Sequence, residues 1–256
     1  LDFPSVGATE NIMMAATLAE GRTIIENAAQ EPEIEDLSQF LIAAGAKISG
    51  VNTSVIQIDG VRSLKGVEHR IIADRIEVGT LLIAAGITKG NVLVHHTVPA
   101  HVQSLLSVLK QCGLAISIEG SSIRCKYNGS LDAINIETQP FPGFPTDMQA
   151  QMIALLTLAK GTSHIKETIF ENRFMHASEL SRMGAKIELF NNVAAVEGVS
   201  GLSGADVQMT DLRAGASLLL AAMAAEGKSI IYGLSHLKRG YDDLPAKLRS
   251  LGASVN

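Results

Sequence analysis

Leu155-Leu156-Thr157-Leu158-Ala159-Lys160-Gly161-Thr162-Ser163-His164-Ile165 sets out the plan of this chain. An Ala/Leu-rich helix closes on a charged residue and a glycine, a C-cap pattern, and a β-branched strand follows. The same grammar stands at Ala16 to Ile25, Ile83 to Val94 and Leu220 to Ile231, with glycines at Gly21, Gly90 and Gly227. After each strand a second helix ends at a further glycine: Gly45, Gly113, Gly184 and Gly252. The two glycines of a pair stand 23 to 25 positions apart, and successive first glycines 66 to 71. Four matches at a nearly constant period identify an internal repeat.

Within a repeat the second helix is amphipathic. Ile34, Leu37, Phe40 and Leu41 recur at helical spacing, with Glu33, Glu35 and Asp36 on other faces. That acidic group reads as a helix start and a solvated face, not a metal site. The alternating runs Ala46 to Gly50 and Val55 to Gly60 read as paired strands. Each repeat is therefore β-α-β-α-β-β, and the fold class α/β. The last repeat stops at Ala253-Ser254-Val255-Asn256 with no partner for its closing strand. The first begins directly on Leu1-Asp2-Phe3-Pro4, so both ends read as cut.

Upstream of the opening stretch, Gln139-Pro140-Phe141-Pro142-Gly143 breaks the chain before Phe144-Pro145-Thr146-Asp147-Met148-Gln149-Ala150-Gln151. Thr146 or Asp147 can cap the helix that follows, and a capped core helix is the plain reading of these residues alone. Similar openings recur at Ser5-Val6-Gly7, Asp74-Arg75 and Thr210-Asp211-Leu212-Arg213. If the repeats turn the same end toward a common cleft, several helix N-termini converge there, which suits a phosphate-bearing ligand. Arg75, Arg173, Arg213 and Arg239 sit at related places. Any one of them is most simply a structural ion pair; together they suit carboxylate and phosphate.

Composition bounds the reading. The 256 residues are 46% apolar and only 4% aromatic, with no Trp, which describes an Ala/Ile/Leu/Val core in one large domain or two. A net charge of −5 argues against nonspecific binding to nucleic acid or an anionic membrane, so an anion site must be a local basic cluster. Cys112 and Cys125 lack metal or redox spacing and read as core thiols in a reducing, cytoplasmic compartment. No signal peptide is read. The longest apolar run, Ala216 to Ala225, falls far short of the roughly 20 residues of a membrane span. The seven histidines show no metal-binding spacing, and on a strand His95 and His96 would point to opposite faces.

These residues carry a family resemblance. Phe3 to Asn11, Asn27 to Ile34, Asp74 to Glu77, Phe144 to Gln151, Phe170 to Phe174, Thr210 to Ala214 and Arg239 to Tyr241 resemble the UDP-N-acetylglucosamine 1-carboxyvinyltransferase family of enolpyruvyl transferases. The resemblance implies an inverted, barrel-like α/β fold of βαβαββ units, helices inside and sheets outside. It implies that 1–72 is the last repeat of a first domain and that 73–256 is a second domain of three repeats, the last lacking its closing strands. The implied reaction moves the enolpyruvyl group of phosphoenolpyruvate to the 3′-hydroxyl of UDP-N-acetylglucosamine, with no metal or organic cofactor.

Residue roles follow from the same resemblance. Ser5, Val6 and Gly7 match a backbone loop holding the diphosphate and uridine, and Glu31 an acidic position on that side. Asp147 matches the carboxylate that accepts the hydroxyl proton. Ile169 and Phe170 match backbone that touches the N-acetyl sugar. Arg173 and Arg239 match arginines for phosphoenolpyruvate. Asp211, with Leu212 and Arg213, matches the segment near the reacting carbon. Two positions depart from the pattern: Lys238 stands where an acidic residue is usual, and Gly215 where Ser is frequent. The family's mobile-loop cysteine and a Lys-Asn pair have no counterpart here, so the chain alone is expected to be inactive. The rival readings are a 5-enolpyruvylshikimate-3-phosphate synthase, a noncatalytic repeat scaffold, and a substrate-binding fragment.

Overall fold

The structure, a computed structural model, describes residues 1–255. It divides into two compact units: Leu1–Ala73 with Pro140–Gly143, and Asp74–Gln139 with the chain from Phe144 onward.

The first unit runs α1 (Val6–Thr17), β1 (Arg22–Glu26), α2 (Pro32–Ala43), β2 (Lys47–Ser49) and β3 (Val55–Asp59). β3 lies between β1 and β2, antiparallel to both. Its alternation turns Ile56 and Ile58 to one face, where they pack with Met13, Ile34 and Leu41. Phe40 departs from the expected stripe: it is 38% exposed, and its ring meets that of His69 edge-on at 5.6 Å. At about 100° per residue Phe40 lies roughly 120° from Ile34, whereas Ser38 falls on the core arc. Ser38 is fully buried, its hydroxyl donating to the Ile34 carbonyl at 2.7 Å. Asp36 is likewise no solvated residue; it pairs with His69 Nε2 at 2.9 Å and is largely buried.

The second unit runs α3 (Arg75–Ile87), β4 (Asn91–Val94), α4 (Gln103–Gln111), β5 (Ala115–Glu119), β6 (Ser122–Lys126) and β7 (Ile136–Glu137). It continues with α5 (Gln149–Leu156), β8 (Thr162–Lys166), α6 (His176–Arg182), β9 (Lys186–Phe190) and β10 (Val193–Glu197). β11 (Asp206–Gln208), α7 (Leu212–Ala224), β12 (Ile230–Tyr232) and α8 (Leu244–Ser250) complete it. α3, α5 and α7 pack on one another, and all of α5 and most of α3 and α7 are buried. They are apolar nearly all round, as central helices must be. Sheets β4-β6-β5 and β7-β8-β10-β9 and the parallel pair β11-β12 form the outer layer. Ile123 and Cys125 of β6, and Ala194 and Val196 of β10, turn inward to the core. Helices are thus inside and sheets outside, and among the described residues no sheet closes into a barrel.

The order helix–strand–helix–strand–strand occurs three times, and α7-β12-α8 begins it a fourth. β7 and β11 supply leading strands; none is assigned before α1 or α3 among the described residues. The repeat is clearest in its second helices. Gly45, Gly113, Gly184 and Gly252 follow the caps of α2, α4, α6 and α8, with φ between 93° and 111°. In each case the next amide donates back to the helix: Ala46 to Leu41, Leu114 to Leu109, Ala185 to Leu180, Ala253 to Leu248, at 2.9–3.1 Å. This is one Schellman motif built four times.

The first glycines behave differently. The inner helices end at Thr17, Ile87, Leu156 and Ala224, so these glycines lie in the connection to the strand rather than at the cap. Gly90 is also not left-handed; Lys89, at φ 55°, makes that turn instead. His95 and His96 lie past the end of β4, with His96 at φ 57°, so strand alternation does not govern them. Cys112 and Cys125 are buried, and burial pushes their thiols up to about 11 and about 12.

Candidate active site

Within the second unit a cavity of about 560 Å³ is lined by Asp147, Phe170, Arg173, Asp211, Arg213 and Arg239, among others. Asp147 sits in a 3-10 turn, Thr146–Met148, that leads into α5. Neither Thr146 nor Asp147 caps a helix; the N-cap positions fall on Pro145 and Met148, without side-chain bonds. The sequence expectation fails here because both side chains serve distant partners. Thr146 Oγ1 donates to Glu167 Oε2 at 2.8 Å. Asp147 Oδ1 accepts Arg173 Nη2 at 2.7 Å and Arg213 Nε at 3.0 Å.

That shared oxygen sets the electrostatics. Burial pushes the Asp147 carboxyl upward, but Arg213 and Arg173 outweigh it and hold the group below the usual carboxylate range. For Arg213, burial works against the charge, and the Asp147 carboxylate and the Tyr241 hydroxyl more than offset it. Each guanidinium is placed by its own local device. Asp211 Oδ1 accepts the backbone amides of Arg213 and Ala214 at 2.8 and 3.0 Å, an N-cap that starts α7 and aims its first turn. Arg173 lies in the loop after β8, its guanidinium 4.7 Å from the Phe170 ring centroid. Arg239 ends a 3-10 turn, Leu237–Arg239, and is exposed.

The structure therefore brings Asp147, Phe170, Arg173, Asp211, Arg213 and Arg239 to one cavity. Ile169 is adjacent but half-buried, its amide donated to Glu167 Oε1 at 2.8 Å. Ser5, Val6, Gly7 and Glu31 belong to the first unit. Ser5 caps α1, its hydroxyl accepting the Ala8 amide at 3.3 Å, and Val6 and Gly7 form the first turn. Glu31 holds the N-cap position of α2 without capping it. It is buried, accepts the Phe141 amide at 3.4 Å on Oε1, and has Oε2 buried without a partner.

Sequence reasoning missed several neighbours. Tyr241, Thr80 and Gln151 form a buried polar cluster, with the two hydroxyls 2.9 Å apart and Gln151 Nε2 donating to both at 3.3–3.4 Å. It ties α3 and α5 to the segment before α8. Tyr241 sits in the Arg239-Gly240-Tyr241 motif, which was the available signal; Thr80 and Gln151 looked like ordinary core-helix positions. His176 is buried and pushed down to about 4, chiefly by burial, so it is neutral, and its Nε2 has no hydrogen-bond partner. Among the described residues no group of His, Cys, Asp and Glu is placed to hold a metal ion, and no helix is long and apolar enough to cross a membrane.

Comparison with known proteins adds three findings. The family model for EPSP synthase (3-phosphoshikimate 1-carboxyvinyltransferase) matches residues 1–248. The UDP-N-acetylglucosamine 1-carboxyvinyltransferase 1 of Caldanaerobacter subterraneus is 55% identical over 255 residues, covering 100% of this chain and 61% of the relative. Similarly named proteins of Halothermothrix orenii and Staphylococcus aureus are 53% and 52% identical over the same shares. The chain thus spans about 61% of the length of these curated relatives. Among solved structures, the enolpyruvyl transferase NikO from Streptomyces tendae matches with a TM-score of 0.88 at 27% identity, over 98% of this chain and 60% of that one. EPSP synthase from Acinetobacter baumannii shares the fold at a TM-score of 0.74 and 19% identity, over 100% of this chain and 62% of that one.

Proposed function

The chain belongs to the EPSP synthase (3-phosphoshikimate 1-carboxyvinyltransferase) family, and from that premise we propose that it serves enolpyruvyl transfer from phosphoenolpyruvate to the 3′-hydroxyl of UDP-N-acetylglucosamine. This is a cytoplasmic step that commits the sugar to peptidoglycan. The observation that carries the reading is the shared Asp147 oxygen: one carboxylate held between Arg173 and Arg213, with Arg239 at the same cavity. An anionic donor and a hydroxyl acceptor need that combination of cations and a base. The names of relatives more than 50% identical support the choice of acceptor. We read 1–72 and 73–256 as parts of two domains.

The chemistry follows from these groups. The sugar hydroxyl adds to C2 of phosphoenolpyruvate while C3 gains a proton; the C2–O bond to phosphate then breaks, C3 loses a proton, and the double bond re-forms. Asp147 takes the hydroxyl proton, assistance worth roughly 100- to 10,000-fold. Held by two arginines, its carboxylate is a weak base. Arg173 and Arg213 are also the cations the donor's charges compete for, so binding of the donor draws them off Asp147 and restores its proton affinity. Arg239 adds a third cation for the donor. Asp211 balances charge near the reacting carbon and aims Arg213 through its cap.

Ile169 and Phe170 give their amides to Glu167, so their backbone meets the sugar through carbonyls. Ser5, Val6 and Gly7, at the α1 N-terminus, suit the diphosphate, with Glu31 on the nucleotide-sugar side. The test is phosphate release from phosphoenolpyruvate, using a protein of the relatives' full length that carries this chain. Release is expected with UDP-N-acetylglucosamine. Release only with shikimate 3-phosphate, the acceptor implied by the family model's description, would replace this reading. Release with neither, and no nucleotide-sugar binding, would leave a scaffold.

A further inference from the structure

Glu167 is the most heavily engaged buried carboxylate that the proposed chemistry leaves unused. It stands one residue beyond β8 and is only 2% exposed. Its backbone is tied to the turn between β9 and β10: the Glu167 amide donates to the Asn192 carbonyl, and Asn192 Nδ2 donates to the Glu167 carbonyl, both at 2.8 Å. Its side chain therefore projects from a fixed point on the four-stranded sheet. Oε1 accepts Thr138 Oγ1 at 2.8 Å, the Ile169 amide at 2.8 Å and the Phe170 amide at 3.2 Å. Oε2 accepts Thr146 Oγ1 at 2.8 Å.

All four partners are donors and none is a cation. A buried carboxylate without a counter-ion persists only when it is well hydrogen-bonded, and this one accepts three bonds on Oε1 and one on Oε2. Bonds to an ionised acceptor are about twice as strong as neutral ones and geometrically strict. The two oxygens reach two different parts of the cavity wall. Oε2 holds Thr146, the residue before Asp147. Oε1 holds the two amides that start the loop carrying Phe170 and Arg173. Asp147 and Arg173 then meet at 2.7 Å.

Resting on the enolpyruvyl-transfer reading, we propose that Glu167 is a positioning residue: one carboxylate that clamps the turn bearing Asp147 and the loop bearing Arg173 to the same sheet. It touches no substrate. It acts by fixing where the backbones that carry the base and the cation stand in the cavity wall, leaving the Arg173 side chain to turn from Asp147 to the donor. A displacement of those backbones by about 1 Å is enough to lower turnover by as much as 100-fold.

The experiment uses a protein of the relatives' full length that carries this chain, and three variants. Thr146→Val removes the bond to Oε2 at constant shape, and Thr146→Ser keeps it. The Val variant is expected to lose about tenfold in kcat with little change in KM for phosphoenolpyruvate, and the Ser variant to retain activity. Glu167→Met removes all acceptors at similar volume. It is expected to speed amide exchange at Ile169 and Phe170 about tenfold or more and to raise KM for phosphoenolpyruvate. Equal kcat for the Val and Ser variants, or unchanged exchange in Glu167→Met, would overturn the clamp. If Glu167→Met does not fold, the Thr146 pair decides. If the unmodified protein turns over neither acceptor, the proposed function falls, and amide exchange alone decides the clamp.

Discussion

Asp147→Asn separates a helix cap from a charge bridge. Were Asp147 a cap, as its sequence context suggests, Asn would replace it with little loss, because Asn caps as well. In the structure it caps nothing and instead receives two guanidinium groups on Oδ1, at 2.7 and 3.0 Å. The Asn variant keeps an acceptor oxygen but loses the charge that makes those bonds strong. Fully buried, a hydrogen bond to a charged group is worth about 1.5–3 kcal/mol. The Asp147 side chain is 36% exposed and its partners 18–20%, so solvent screening reduces each bond to about 1 kcal/mol. The two together give about 2 kcal/mol. Spread over the unfolding entropy of a protein of the relatives' full length, that is roughly 2–3 °C in Tm.

The assay is thermal unfolding of both proteins across pH, in a protein of the relatives' full length. Because the folded-state pKa of Asp147 lies below the unfolded value, the stabilisation is fully present above about pH 4. It is lost as pH falls through the depressed folded value. The gap between the two proteins should be constant from about pH 5 to 8 and shrink in acid. Turnover of the variant should fall by roughly 100-fold or more. Melting points that agree within about 1 °C at neutral pH would refute the bridge. Normal turnover would remove Asp147 as the base.

Arg239→Ala should raise KM for phosphoenolpyruvate more than that for the nucleotide sugar and leave Tm unchanged, because Arg239 is exposed and does not bond Asp147; steady-state kinetics with each substrate varied in turn decide it. Gly184→Ala should lower stability by about 1–2 kcal/mol in denaturant melts through backbone strain alone, since φ is 93° and nothing lies within 4 Å of the added Cβ. Gly90→Ala, at a position without positive φ but with the added Cβ 3.3 Å from the Thr88 hydroxyl, should cost less than Gly184→Ala, below about 1 kcal/mol. Cys112 and Cys125, with thiols pushed up to about 11 and about 12, should resist a thiol reagent at pH 8 in the folded protein and react once denaturant is added, as counted by absorbance.

What the amino-acid sequence determined by itself is local. The Schellman glycines Gly45, Gly113, Gly184 and Gly252 were legible because a left-handed residue after a helix is a demand of one turn, met by residues within six positions. Ser5, Asp74 and Asp211 were readable as caps for the same reason, and each does cap its helix. The strand runs Ala46 to Gly50 and Val55 to Gly60 were legible from their alternation, whereas the placing of helices inside and sheets outside was implied by the family resemblance and not by any period. Phe40 and Lys89 show the limit of this reading. Which arc of a helix is buried, and which residue of a two-residue turn goes left-handed, depend on what packs opposite.

Tertiary structure alone decided the site. Asp147 has the same local context as a cap, yet its partners lie 26 and 66 positions away, and contact with them removes it from its own helix. Thr146 read as a candidate helix cap, and Glu167, 21 positions away, carried no signal of its own. Only folding brings four donors around that carboxylate. A charge far from its partners in sequence has no local signature, because the energy that places it is released only when the partners meet in a shared, water-poor wall.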